Sequence, residues 1–171
     1  MKSIVLGGGC FWCIEAIYQR VKGVGEVQSG YAGGDTTDPT YHNHANHAEV
    51  VRVNFDEAVI DLATIAEIFF HIHNPTSLNR QGNDVGTQYR SIILYEDDED
   101  KEAIIKAKND AQSDWTDPIV TEIKKLDQFY PAEDYHNDYY NQNQSNPYCQ
   151  VVIDPKLQKF NQKFATLVKQ D

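Results

Sequence analysis

Cysteine is scarce in this chain of 171 residues: there are three, which cannot all pair within one molecule, so a disulfide-stapled secreted scaffold is excluded. Basic residues are also few, 15 Lys and Arg against 26 Asp and Glu, for a formal net charge of −11. That sign argues against nucleic acid and anionic membrane as partners, because both recruit clustered Lys and Arg. No apolar run approaches the ~20 residues that span a bilayer. Gly-x-Gly-x-x-Gly, P-loop and Gly-x-Ser-x-Gly patterns are all missing, which leaves dinucleotide binding, phosphate cradling and serine hydrolysis without support. The stretch from Met1 to Leu6 carries one basic residue and too short an apolar run for a signal peptide, so a cytoplasmic protein folded from near residue 1 is expected. No repeat, linker or compositional shift marks a boundary, and residues 1–171 read as one domain, expected to be a monomer.

Ile4-Val5-Leu6 followed by Gly7-Gly8-Gly9 predicts a buried strand feeding a tight turn. Cys10, Ile14, Ile17, Tyr18 and Val21 then recur at helical spacing, with Gly23 and Gly25 as the stop. Glu15 is expected to suit the positive end of that helix's dipole. Val24 to Tyr31 and Ala48 to Phe55 read as strands around a polar segment, 33–47, whose length marks it as functional or mobile. Leu62, Ile65, Ala66, Phe69, Ile72 and His73 predict a second helix, stopped by Asn74-Pro75. A polar loop follows from Thr76 to Gln88, then a strand from Tyr89 to Tyr95, a helix from Asp97 to Ser113 and a strand from Ile119 to Ile123. The Tyr- and Asn-rich stretch from Tyr130 to Tyr148 is expected to be irregular. Asp154-Pro155 makes a suitable N-cap and first turn for a last helix carrying Leu157, Phe160, Phe164 and Leu167. The alternation of strands and helices predicts an α/β or α+β class.

Cys10-Phe11-Trp12-Cys13 is the sharpest local feature. Cys10 falls where strand gives way to helix, and the free N–H groups there favour a thiolate, lowering the thiol pKa. The preceding glycines are expected to leave the helix end open to substrate. A buried, inert Cys10 is the alternative. The Cys-x-x-Cys spacing by itself also suits a redox pair or half of a zinc site. Zinc needs about four ligands. His42, His44 and His47 with Glu49 are the only local supplement to Cys149, at spacings that make no helical clamp, so no metal is expected. His71 and His73 are expected to favour a helix C-terminus or to be solvated.

Four ordered motifs then agree. They are Gly9-Cys10-Phe11-Trp12, Asp38-Pro39-Thr40-Tyr41, His47-Ala48-Glu49-Val50-Val51, and Gln81 to Arg90 with Gly82-Asn83-Asp84 inside it. Together with the stretches Ala132 to His136 and Asn146 to Cys149, the chain resembles the A class of peptide methionine sulfoxide reductases from about Ile4 to Cys149. That resemblance implies an α+β fold with a ferredoxin-like split βαβ core sheet, surrounding helices and long functional loops. It implies reduction of the S epimer of methionine sulfoxide, free or in proteins, as repair of oxidative damage, with no cofactor and with thioredoxin or a dithiol as reductant. It carries the nucleophile's role to Cys10, the sulfoxide-oxygen ligands to Glu49, Tyr41 and Tyr89, and a supporting role to Asp84.

The residue types suit that chemistry. A sulfoxide oxygen leaves only when protonated, so Glu49 serves as the acid if an apolar site raises its pKa. Tyr41 and Tyr89 donate to the oxygen as charge develops. Phe11 and Trp12 offer an apolar wall to the S-methyl group. The sulfenic acid left on Cys10 needs a second thiol. Many members carry Gly where this chain has Cys13, and Gly-Tyr-Cys where it has Pro147-Tyr148-Cys149, so Cys149 and Cys13 both stand as resolving cysteines. Cys149 is favoured as the first because its Asn/Gln/Ser-rich approach suggests a flexible arm. Two other readings remain: a thiol–disulfide oxidoreductase that uses only Cys10 and Cys13, and a module that binds oxidised methionine without consuming thiols.

Overall fold

In the computed structural model, which describes residues 1–169, the strand β1 (Lys2–Gly7) lies in the middle of a six-stranded sheet. Its Ile4, Val5 and Leu6 are each at most 1% exposed, which is why this run has no polar alternate: both faces of the strand are covered. β3 (Ala48–Phe55) pairs antiparallel with β1 on one side and with β2 (Val24–Ala32) on the other. β6 (Ile92–Tyr95) flanks β1, β7 (Glu122–Lys125) adds to β6 as the sheet's one parallel pair, and β8 (Phe129–Pro131) closes the opposite edge against β2. A two-stranded ribbon, β4 (Arg80–Gln81) and β5 (Asp84–Val85), stands apart from this sheet.

Alternation along the strands splits the core in two. Ile4, Leu6, Val51, Val53 and Ile93 face α1 (Phe11–Tyr18), α2 (Leu62–Ile72) and α5 (Asp154–Lys163), which contribute Ile14, Ile17, Ile65, Phe69, Leu157 and Phe160. Val5, Val50, Ile92 and Leu94 face the other way into a smaller cluster with Leu126 and Phe129. Each such side chain contributes roughly 1.5–3 kcal/mol on burial, so the helix-covered face is where most of the stability resides. α3 (Asp100–Gln112) packs on α2 at the periphery.

Several expected boundaries move for identifiable reasons. α1 stops at Tyr18 rather than running to Gly23, because Val21 bridges to Val168 instead of continuing the helix. β6 starts at Ile92 rather than Tyr89: residues 87–89 form a single 3₁₀ turn, and the Tyr89 carbonyl accepts from the N–H of Gly9 at 3.1 Å. The strand expected from Ile119 to Ile123 is β7, three residues later, since its register pairs Ile92 with Glu122. Ile119 instead lies buried before the strand, its N–H held by Gln112 Oε1 at 2.9 Å. β8 and the short α4 (Tyr139–Gln142) fall inside the stretch expected to be irregular.

The last helix does not begin at Asp154. A wide π-turn, Cys149–Ile153, leads straight into α5, and Asp154 is already helical at φ −54° and ψ −45°. Its carboxylate accepts from the Tyr140 hydroxyl instead of capping a helix. Pro155 has no N–H for the carbonyl four residues back, and the wider turn falls where that bond is lost. No helix among the described residues is long and apolar enough to cross a membrane.

Candidate active site

Cys10 occupies the N-cap of α1, with extended backbone at φ −66° and ψ 133°, at the end of the Gly7-Gly8-Gly9 turn. Those glycines are also needed by the packing of the protein itself. A Cβ on Gly8 would lie 2.6 Å from the His73 ring, and Gly9 has φ +91°, a left-handed conformation that costs other residues strain. His73 stands at the C-terminal end of α2, one of its two expected places, but is buried rather than solvated. Its Nδ1–H donates to the Phe69 carbonyl at 2.6 Å and its Nε2 accepts from Ser91 Oγ at 2.7 Å. Burial pushes its pKa down to about 3, so it is a neutral spacer under the Cys10 turn.

Glu49, on β3, reaches across the sheet edge to this turn. It is 2% exposed, and its Oε1 accepts from the Phe11 N–H at 3.2 Å. Desolvation raises its pKa to about 8, with the Asp84 charge adding to the rise and the Phe11 N–H and Cys10 thiol opposing it. The carboxyl is therefore protonated at neutral pH, as the sequence reading requires of an acid. Cys10 departs from expectation. Burial first, then the charges of Glu49 and Cys13, push its pKa well above the ordinary thiol value, and the helix-start N–H of Trp12 does not compensate. Both groups rest as neutral acids.

Tyr41 and Tyr89 converge on the same spot from two loops. Glu49 and Cys10 press on both phenols, and burial raises Tyr41 to about 12 and Tyr89 further. Among the described residues neither hydroxyl has a hydrogen-bond partner, so both are unspent donors. The Tyr41 ring stacks on Trp12 at 6.2 Å and on Phe11 at 6.4 Å. Trp12 is half-buried and forms the visible apolar wall, while Phe11 is 0% exposed and backs it from beneath.

The loop that carries Tyr41 is tied down by residues to which sequence reasoning assigned no role. Glu133 accepts from the Tyr31 hydroxyl at 3.0 Å and from the Tyr41 N–H at 3.3 Å. Burial alone would raise its pKa, but the N–H groups of Glu133 and Tyr41 and the Tyr31 hydroxyl hold it below the ordinary value. His136 packs 4.6 Å from Tyr41, and its Nδ1 accepts from Trp12 Nε1 at 3.1 Å. His47, weighed as a metal ligand, uses both ring nitrogens inside segment 33–47. Its Nδ1 accepts from the Gly34 N–H at 3.0 Å and its Nε2–H donates to the Thr36 carbonyl at 2.7 Å. The signal for Glu133 and His136 was their place in the Ala132 to His136 motif; nothing in their local spacing announced a contact.

Asp84, on β5, accepts from the Tyr148 hydroxyl at 2.9 Å. That hydroxyl also lies 3.9 Å from Cys13 Sγ, and the Tyr148 ring stands edge-on to Trp12 at 5.8 Å. The approach to Cys149, expected to be a flexible arm, is hydrogen-bonded to Tyr139 in this structure. Asn146 Nδ2 donates to the Tyr139 hydroxyl and Asn143 Nδ2 to the Tyr139 carbonyl, and Cys149 is 0% exposed in the π-turn. All three cysteines are free thiols and buried. Glu15, expected to suit the positive end of the α1 dipole, is also buried. It accepts from Ser29 Oγ and from the Tyr139 N–H, each at 3.2 Å. Among the described residues no group of three or more His, Cys, Asp or Glu is placed to hold a metal ion.

The chain that builds this site is similar to known proteins. A sequence profile described as "Peptide methionine sulfoxide reductase" matches residues 2–168. The chain belongs to this family. Among peptide methionine sulfoxide reductases, it is 50% identical to the one named MsrA from Saccharolobus solfataricus, over 99% of this chain and 98% of that protein. The fold is similar to that of reduced Mxr1 from Saccharomyces cerevisiae, at a TM-score of 0.79 and 34% identity, covering 86% of this chain and 88% of that one. It is also similar to Mxr1 in its complex with Trx2, at a TM-score of 0.58 and 28% identity, covering 81% and 84%. Of the two classes the residue pattern left open, α/β and α+β, the mostly antiparallel sheet with helices is the α+β class that the resemblance implied.

Proposed function

We propose that this peptide methionine sulfoxide reductase acts on the S epimer of methionine sulfoxide, free or in proteins, as a repair enzyme of the cytoplasm. The observation that carries the reading is the pairing of Cys10 with a protonated Glu49 under two phenols that have no other partner. Cys10 sulfur attacks the sulfoxide, the sulfur–oxygen bond of the substrate breaks, and the oxygen ends on Cys10 as a sulfenic acid while methionine leaves. Glu49 gives its proton to the departing oxygen and recovers one from the Cys10 thiol, so no net charge is left behind. Tyr41 and Tyr89 donate to the oxygen, Asp84 supports that network, and Trp12 backed by Phe11 receives the S-methyl group.

A second thiol, Cys149 or Cys13, then closes a disulfide, and thioredoxin or another dithiol reopens it; no metal or organic cofactor takes part. The Mxr1–Trx2 complex supports that reductant. Residues 1–171 act as a monomer and as one domain, the latter supported by the profile match over 2–168. We read the strand order β6-β1-β3-β2, with α1 and α2 crossing between strands, as the ferredoxin-like split βαβ core.

One experiment tests this reading. Fully reduced protein is mixed with excess S or R sulfoxide, without reductant, and methionine and remaining thiols are counted. Methionine from the S epimer alone, with two thiols lost including Cys10, is the expected result. Methionine from neither epimer would leave the thiol–disulfide oxidoreductase as the working assignment. Sulfoxide bound with no thiol lost would point to the binding module.

A further inference from the structure

A groove of about 1330 Å³ follows α5, with the β4–β5 ribbon and the C-terminal end of α2 among its walls. Asp84 and Tyr148 belong both to this groove and to the active site. The Tyr148 hydroxyl contacts Asp84 Oδ2 at 2.9 Å and is hydrogen-bonded to the Cys10 thiol as well, so groove and nucleophile share a wall. The floor is apolar. Phe160 and Phe164 are buried beneath it, and Trp115 is fixed there by its Nε1–H, which donates to the Phe70 carbonyl at 3.2 Å. Val151, on the rim, is 73% exposed.

Lys156, Lys159 and Lys163 line the same groove. Their spacing of three and then four residues puts them on one face of α5, over about 10 Å of its axis. Among the described residues none of the three is in an ion pair. The two carboxylates of the lining are already engaged. Asp84 accepts from Tyr148, and Asp114 accepts from His71 Nε2–H at 2.9 Å. That His71 bond holds the Asp114 carboxyl below its ordinary value, and the Lys163 charge helps. At the other end of the row the Lys156 charge is felt at Cys13, where it opposes the rise that burial imposes on the thiol. In a chain with 15 basic residues against 26 acidic ones, the groove is a local reversal of sign that leads to Cys10.

We propose that this groove receives an acidic stretch of the oxidised polypeptide, next to its methionine sulfoxide. The proposal rests on the reductase reading above and adds to it a class of protein substrate. The general field of the molecule repels acidic chains, and the lysine row offsets that field along the path to the nucleophile. Three residues of extended chain span the row, since each covers about 3.3–3.6 Å. Carboxylates of that stretch meet the ammonium groups, while apolar side chains between them settle on Trp115 and the two phenylalanines.

The test uses peptides with one methionine-S-sulfoxide and a run of glutamates on its N-terminal or C-terminal side, and matched peptides with glutamines. Dithiothreitol is the reductant, and the readout is the ratio of kcat/KM between each glutamate peptide and its glutamine match. For one orientation the wild-type ratio is expected to be about 10-fold, and to fall towards one as salt is raised from about 0.01 M to about 1 M. In Lys159→Glu/Lys163→Glu the ratio is expected to drop below one. Lys101→Glu/Lys106→Glu, on the exposed side of α3, makes the same change in net charge and is expected to move the ratio less than about twofold. A variant that folds poorly lowers both rates and leaves their ratio in place. Wild-type ratios near one in both orientations, or equal shifts in the two double variants, would overturn the proposal alone. So would an unchanged ratio in Lys159→Glu/Lys163→Glu with slower turnover only when thioredoxin replaces dithiothreitol, which would give this face to the reductant. No methionine from free methionine-S-sulfoxide in the wild-type chain would remove the reductase reading and this proposal with it.

Discussion

Two glutamates are buried against α1, and they are bound in opposite ways. Glu15 faces the interior from the helix itself and accepts from Ser29 Oγ and the Tyr139 N–H, joining α1 to β2 and to the segment after β8. Glu49 comes from β3 and has a single backbone donor, the Phe11 N–H. Desolvation raises both, Glu15 to about 7 and Glu49 to about 8. The difference lies in how much of the carboxylate's acceptor capacity is used. A buried carboxyl hydrogen-bonded as fully as Glu15 ties elements together, while one as sparsely tethered as Glu49 has acceptor capacity to spare.

The largest expected effect on this contrast is catalytic. Glu49→Gln preserves shape and removes the acid, and methionine release in a single turnover should fall about 100-fold to 10,000-fold by quenched flow. An equal loss in Glu15→Gln would erase the distinction. The reverse ordering is expected for stability. Glu15→Ala leaves the Ser29 hydroxyl and Tyr139 N–H without an acceptor in a buried site, and urea unfolding should show a loss of about 2–4 kcal/mol. The smallest effect is in pH dependence. Each glutamate keeps in the folded chain a proton that the unfolded chain releases above its ordinary value of 4.5. Their contribution to stability is therefore full below that value and is lost as pH rises through about 7 for Glu15 and about 8 for Glu49. Urea midpoints measured across that window should fall with pH in the wild type and fall less steeply in Glu15→Gln.

Much of this arrangement was legible in the sequence. The buried strand before Cys10, the paired strands β2 and β3, and α2 with its stop at Asn74-Pro75 follow from apolar period and turn chemistry, which are local properties. Cys10 at a helix start and Glu49 on a strand were legible for the same reason, with the ordered motifs supplying their company. The Cys10 pKa was not. A helix start promises a lower value, but burial is decided by what packs over it, and that comes from Glu49, Tyr41 and Tyr148, up to 138 residues away in sequence (from Cys10 to Tyr148). The hydrogen bonds along the approach to Cys149 were hidden for a related reason. Asn side chains there read as solvent-loving, yet Asn143 and Asn146 are spent on Tyr139 and Tyr148. Edge elements such as β8 were missed because three residues carry too little pattern.

The neutral resting forms of Cys10 and Glu49 have a consequence for the surface that surrounds them. The chain's net charge of −11 generates a field that would repel an anionic nucleophile formed in the interior. With thiol and carboxyl both protonated, the site offers that field nothing to act on. In the proposed cycle the thiol, sulfenic acid and disulfide are all uncharged, so the sulfur would pass from one resting form to the next without carrying charge. The outer charge is then left to keep copies of the protein apart, insulated from the chemistry within.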